Sequence, residues 1–114
     1  MNNAHCISYI ALHLVLVTRF RKEFNFSEEI IRNACKSAKC QLDKIGIAEN
    51  HVHLLIEVAP SRSVSKVVEI IKSISSKKFA ELNQDSWPSW QVGYFVASVG
   101  RSSRSKVVKY LENQ

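Results

Sequence analysis

Two imidazoles one residue apart, in His51-Val52-His53, are the side chains here with the plainest chemical potential. They lie in the run Glu49-Asn50-His51-Val52-His53-Leu54-Leu55-Ile56-Glu57-Val58, whose branched apolar residues favour extended backbone. Along a strand, residues two apart point to the same face, so both rings converge on one point. Two neutral imidazoles can hold a divalent cation, and a bound cation polarises a phosphate or activates a nucleophile. Taken alone, a His-x-His pair is more often two half-exposed surface histidines. The rest of the chain has to carry the case.

A second chemical candidate is Tyr110-Leu111-Glu112-Asn113-Gln114. Tyr110 and Gln114 are four apart, so on a helix they share a face. A tyrosine hydroxyl can attack a phosphodiester, but with an unperturbed pKa of about 10 it needs help near neutrality. A cation held by His51 and His53 would give that help, with the amide oxygen of Gln114 as a third, neutral ligand. The competing reading packs Tyr110 into the core and leaves Gln114 solvated.

The elements that must position these groups follow from patterning. Ile7 to Thr18 has the composition of a long strand, broken by neither Gly nor Pro, and could be an edge that needs a partner. Arg19, Arg21 and Lys22 follow as a basic cluster with Phe20, Phe24 and Phe26 interleaved. Ser27 is a helix N-cap, and Glu28 and Glu29 suit the first turn. Ile30, Ile31, Ala34, Ala38, Leu42 and Ile45 recur at steps of three and four, which predicts a helix as far as Gly46. Ile47 to Val58 is extended, with a bend near Glu49-Asn50. After Pro60, Ser61 or Ser63 caps a helix whose apolar stripe is Val64, Val67, Val68, Ile71, Ile74, Phe79 and Leu82. A polar turn at 83–89 leads to a strand region, Gln91 to Val99, and a short terminal helix. The order β-α-β(β)-α-β-α predicts an α+β fold: a ferredoxin-like antiparallel sheet with helices on one face, plus a C-terminal helix carrying Tyr110, the candidate nucleophile.

The 114 residues fit one domain, 1–114, with 46% hydrophobic and 23% charged residues, ordinary for a globular fold. A net charge of +6 favours a polyanionic partner, nucleic acid before an anionic membrane surface. Cys6, Cys35 and Cys40 have neither zinc-ribbon nor disulfide-framework spacing and read as packing residues in a reducing compartment. With no signal peptide and no apolar run long enough to span a bilayer, the expectation is a soluble, cytoplasmic protein without a membrane partner.

These blocks together resemble a known family, the single-tyrosine HUH transposases of the small insertion-sequence type that move as single-stranded DNA. His13-Leu14-Val15-Leu16-Val17-Thr18-Arg19-Phe20-Arg21-Lys22 is similar to the family's first strand and basic turn. Asn50-His51-Val52-His53-Leu54-Leu55 resembles its metal-binding strand, and Lys72-Ser73-Ile74-Ser75-Ser76-Lys77 its second helix. Tyr94-Phe95-Val96-Ala97-Ser98-Val99-Gly100 and Tyr110-Leu111-Glu112-Asn113-Gln114 resemble the closing strand and the nucleophile helix. The resemblance spans nearly the whole chain.

The resemblance implies that His51, His53 and Gln114 hold Mg²⁺ or Mn²⁺, although ligand type alone also admits Zn²⁺. It implies that Tyr110 attacks hairpin-bearing single-stranded DNA to form a 5′-phosphotyrosine, and that a homodimer builds composite active sites. DNA would be held by Arg19, Arg21, Lys22, Lys72, Lys77, Lys78, Arg101, Arg104, Lys106 and Lys109. Phe20, Phe24 or Trp87 could stack unpaired bases, with core packing the competing role, and His13 could support a metal ligand from behind. Asn50 departs from the Asp common in the family before the first histidine, which puts any supporting role there in doubt. Trp90-Gln91-Val92-Gly93 also departs from the usual approach to the closing strand. Two alternatives stand beside this reading: a noncatalytic single-strand nucleic-acid-binding module, and a domesticated single-tyrosine nuclease that processes palindromes. Two-tyrosine replication initiators fit less well, because Tyr9, Tyr94 and Tyr110 are not paired.

Overall fold

The computed structural model describes residues 9–100. Tyr110, Gln114, Arg101, Arg104, Lys106, Lys109, Cys6 and the expected terminal helix lie outside the described residues.

Strand β1 (Ile10–Val17) leads through a short 3-10 turn (Arg19–Arg21) to helix α1 (Glu28–Ser37). Strands β2 (Gln41–Ile47) and β3 (His51–Val58) form a hairpin, helix α2 (Val64–Asn83) crosses back, and β4 (Phe95–Ser98) closes the sheet. The sheet is antiparallel throughout, in the order β2-β3-β1-β4. This is the ferredoxin-like α+β arrangement the element order predicts. Among the described residues no helix is long and apolar enough to cross a membrane.

Alternation sorts the sheet residues. Leu12, Leu14 and Leu16 of β1 and Val52, Leu54, Ile56 and Val58 of β3 point into one core with Ile31, Ala34, Val67, Val68, Ile71 and Phe79 of the helices. His13, Val15, His51 and His53 therefore occupy the sheet face opposite the helices. The helix caps follow the sequence: Ser27 accepts from Ile30 N, and Ser63 from Lys66 N.

Three expectations need correction. The helix predicted to run as far as Gly46 ends at Ser37, and Leu42, Ile45 and Gly46 belong to β2. The pairing of β2 with β3 shifts between Leu42 and Lys44, so Asp43 is an extra residue. That bulge lets Leu42 and Ile45, three apart, pack against the same core, which mimics helical spacing. Second, β1 is an interior strand between β3 and β4, not an edge; its apolar run is long because partners flank it on both sides. Third, Ile74 and Leu82 leave the core stripe of α2, 38% and 64% exposed. Ser75 takes the seat beside them because its hydroxyl accepts the indole N–H of Trp90 at 3.0 Å and donates to Ile71 O at 2.6 Å. A neighbouring bond, from Trp87 Nε1 to Ser76 Oγ at 2.9 Å, anchors the second indole.

Candidate metal centre and nucleic-acid face

The strand places the two imidazoles together, as their spacing predicts. His51 Nε2 and His53 Nε2 are 3.1 Å apart. That is about the separation of two neighbouring ligands, each about 2.1 Å from one ion. The lone pairs are set from behind. His51 Nδ1 lies 2.7 Å from Oδ1 of Asn50. An amide oxygen only accepts, so His51 carries its proton on Nδ1 and keeps the Nε2 lone pair for a ligand. Asn50, where the family commonly has Asp, thus holds the His51 ring through its amide oxygen.

His53 is backed by a third histidine. His13 Nε2 is 3.0 Å from His53 Nδ1, and the two rings stack with centroids 5.2 Å apart. In β-sheet register His13 faces Leu55, so it reaches His53 on the diagonal. Directly opposite His53 on its other side is Gly46, which offers no side chain to crowd the ring. Burial, then the neighbouring His51 and His13, push the pKa of His53 down to about 4. Burial likewise lowers His13. Neutral imidazoles are the form that binds metal. Among the described residues no group of three or more His, Cys, Asp or Glu side chains is placed to share an ion.

The basic turn sits at the same end of the sheet. Val17 pairs with His51, and the next residue, Thr18, is fully buried and bonds through its backbone N–H to Asn50 O at 2.9 Å. The Thr18 hydroxyl reaches Asn50 O at 3.1 Å and Lys22 O at 2.5 Å, and Asn50 Nδ2 donates to Arg21 O at 3.4 Å. Arg19, Arg21 and Lys22 are therefore carried on a turn tied to the residue before His51, and all three are exposed. Between them Phe20 is 81% exposed, in left-handed backbone at φ 58°, followed by Arg21 at φ 54°. The Arg19 guanidinium lies 5.6 Å from the Phe20 ring centre. Two consecutive non-glycine residues in that region carry strain, which surrounding contacts must hold in place.

Other predicted residues lie elsewhere. Phe24 and Trp87 pack against the core, ring centres 4.8 Å apart, which removes them as base platforms. Lys72 is half-buried, its ammonium held by Gln91 O at 2.8 Å and Gly93 O at 3.0 Å, and burial lowers its pKa. It secures the loop before β4. Lys77 and Lys78 line a groove with Ile30 and Asn33 of α1, across the sheet from the histidines. One aromatic that the sequence reading did not single out, Phe95, is on the histidine face: it pairs with Val15, which in turn pairs with His53.

Comparison with known proteins now decides the family. The family model described as "Transposase IS200 like" matches residues 6–114. The chain belongs to the IS200-like transposases. Among curated relatives of this transposase, the ISDra2 transposase TnpA of Deinococcus radiodurans is 22% identical, covering 90% of this chain and 81% of the relative. The transposase for insertion sequence element IS200 of Salmonella typhimurium is 26% identical, covering 90% and 74%. A crystal structure assigned as a transposase from Deinococcus radiodurans R1 matches with TM-score 0.76 and 21% identity, covering all of this chain and 97% of that one. A REP-associated tyrosine transposase bound to a REP hairpin matches with TM-score 0.65 and 13% identity, covering 90% and 64%. At those identities the two structures establish the shared fold of this transposase.

Proposed function

We propose that residues 1–114 form a single catalytic domain that cleaves and rejoins single-stranded DNA at hairpin-bearing element ends through a 5′-phosphotyrosine intermediate. The observation that carries this reading is the His51–His53 pair, with its Nε2 atoms 3.1 Å apart and its rings fixed by Asn50 and His13. His51, His53 and Gln114 would hold Mg²⁺ or Mn²⁺, and the cation would supply polarisation of the scissile phosphate.

The chain's own groups do the rest. The Tyr110 phenol oxygen attacks phosphorus, the bond to the 3′ oxygen breaks, and that oxygen leaves as a 3′-hydroxyl after taking a proton. Attack of another 3′-hydroxyl on the phosphotyrosine reverses the exchange and rejoins DNA without ATP. Arg19, Arg21 and Lys22 grip phosphates beside the histidines, and Phe20 stacks an unpaired base. Arg101, Arg104, Lys106 and Lys109 precede Tyr110 and favour a phosphate there. Lys72 acts indirectly, by fixing the loop before β4, and Lys77 and Lys78 act at most as a distant positive surface.

A homodimer with composite sites is part of the proposal. Among the described residues strand β4 ends the sheet, all four of its residues are exposed, and Phe95 is 57% so. A partly apolar edge without a strand partner among the described residues suits pairing with a second copy. The similarity to a transposase solved on a REP hairpin supports hairpin DNA as substrate.

The test is incubation of the protein with a single-stranded, hairpin-containing DNA, followed by a denaturing gel. The expected result is a covalent protein–DNA adduct that needs Mg²⁺ or Mn²⁺ and is lost in EDTA. An undiminished adduct in EDTA would remove the metal from the mechanism.

A further inference from the structure

The end of α1 carries a feature that the transposase reading does not use. Lys39 is in left-handed backbone at φ 58°. Cys40 N–H bonds to Cys35 O at 3.2 Å, and Lys39 N–H bonds to Lys36 O at 3.0 Å. This nested pair of bonds is the Schellman motif, which characteristically brings the third-last helical residue against the second residue beyond the cap. Apolar side chains usually meet there. Here both are cysteines.

The bond fixes their approach. A backbone hydrogen bond of 3.2 Å between the two residues keeps their Cα atoms within about 7 Å, the reach beyond which a disulfide cannot close. The Cys40 thiol lies 3.5 Å from Cys35 O. Cys35 is fully buried and Cys40 half-buried, and together they line a groove of about 470 Å³ with Arg32, Lys36 and Gln41.

We propose that Cys35 and Cys40 are a dithiol modification site, oxidised by hydroperoxides to an intramolecular disulfide. The Cys40 thiolate attacks the terminal peroxide oxygen, the O–O bond breaks, and an alcohol or water leaves with Cys40 as sulfenic acid. The Cys35 sulfur then attacks Cys40 sulfur, gives up its proton, and expels water. Two thiols are oxidised by two electrons and one peroxide is reduced. The division of labour follows the surroundings. A hydrogen bond from Cys35, aided by Arg62, lowers the Cys40 pKa against the effect of burial. Cys35 is raised by the bond to Cys40 and by burial, which suits the second, resolving thiol.

The site is remote from the histidines. Gln41 pairs with Glu57 while Gly46 pairs with His53, so the cysteine end of β2 is four residues of β3, roughly 13 Å, away along the strand. Failure of this proposal therefore leaves the transposase reading untouched.

The experiment uses the full chain in a Cys6→Ser background, treated with hydrogen peroxide and mapped by mass spectrometry. The expected product has lost two hydrogens and yields a Cys35–Cys40 linked peptide, formed at least tenfold faster than in the urea-unfolded chain. In Cys35→Ala, Cys40 should be captured by dimedone as the sulfenic acid. Equal rates in folded and unfolded chains, or conversion of Cys40 to sulfinic acid while Cys35 stays a thiol, would overturn the proposal.

Discussion

The Nε2 atom of His13 lies 3.0 Å from Nδ1 of His53, on the side of the ring away from His51. To bind a cation through Nε2, His53 must carry its proton on Nδ1, and His13 Nε2 is placed to accept it. Backing of this kind orients a metal-binding imidazole and makes it a better donor, and its removal typically costs about 10- to 100-fold in metal affinity. His13→Ala should weaken Mn²⁺ binding by about that factor, measured by electron paramagnetic resonance titration, with circular dichroism little changed. A change under twofold would show that His53 is oriented without His13.

Protonation should compete with folding at the same place. His53 has a pKa of about 4 when folded and about 6.5 when unfolded. Between those values the unfolded chain binds a proton that the folded chain does not, so stability is full above pH 6.5 and falls as pH drops toward 4. In EDTA, urea unfolding should lose about 1–3 kcal/mol over that window from this group. His53→Gln should flatten that part of the profile. An unchanged slope in the variant would assign the acid sensitivity to other groups.

Phe20 should bind DNA and not support the fold. It is 81% exposed and sits in backbone that a bulky residue adopts at a cost. Phe20→Ala should weaken single-stranded DNA binding by about 1–3 kcal/mol, roughly 5- to 150-fold in Kd, by fluorescence anisotropy. Its melting temperature should not fall. Lys77→Ala with Lys78→Ala should weaken binding far less, because those ammonium groups are across the sheet. If the lysine pair proves the more damaging change, the DNA path runs over the helices.

Much of this arrangement was legible in the sequence, and the exceptions have physical causes. Ser27 declared its cap, and Ser61 or Ser63 the next one, which falls to Ser63, because a serine before an apolar periodic run has a local role that tertiary contacts do not alter. His51 and His53 were legible because strand alternation depends only on sequence spacing. Leu42 and Ile45 misled because one bulged residue, Asp43, turns period two into an apparent period three. Ile74 and Ser75 exchanged expected places because Trp90, fifteen residues from Ser75, brought an indole N–H that needed an acceptor. Strand order, which makes β1 interior, and the roles of Asn50 and Gly46 depend on which strands meet. Spacing along one strand does not carry that information.

If Tyr110 and the paired histidines act on the same phosphate, the residue that becomes linked to DNA reveals it. Wild-type protein incubated with hairpin-bearing single-stranded DNA and Mn²⁺ should yield, after nuclease and protease digestion, a phosphotyrosine-linked nucleotide on the peptide containing Tyr110. Tyr110→Phe should abolish it while keeping DNA binding within about threefold, and His51→Ala should abolish it as well. A nucleotide attached at another residue, or an adduct that persists in Tyr110→Phe, would contradict the account.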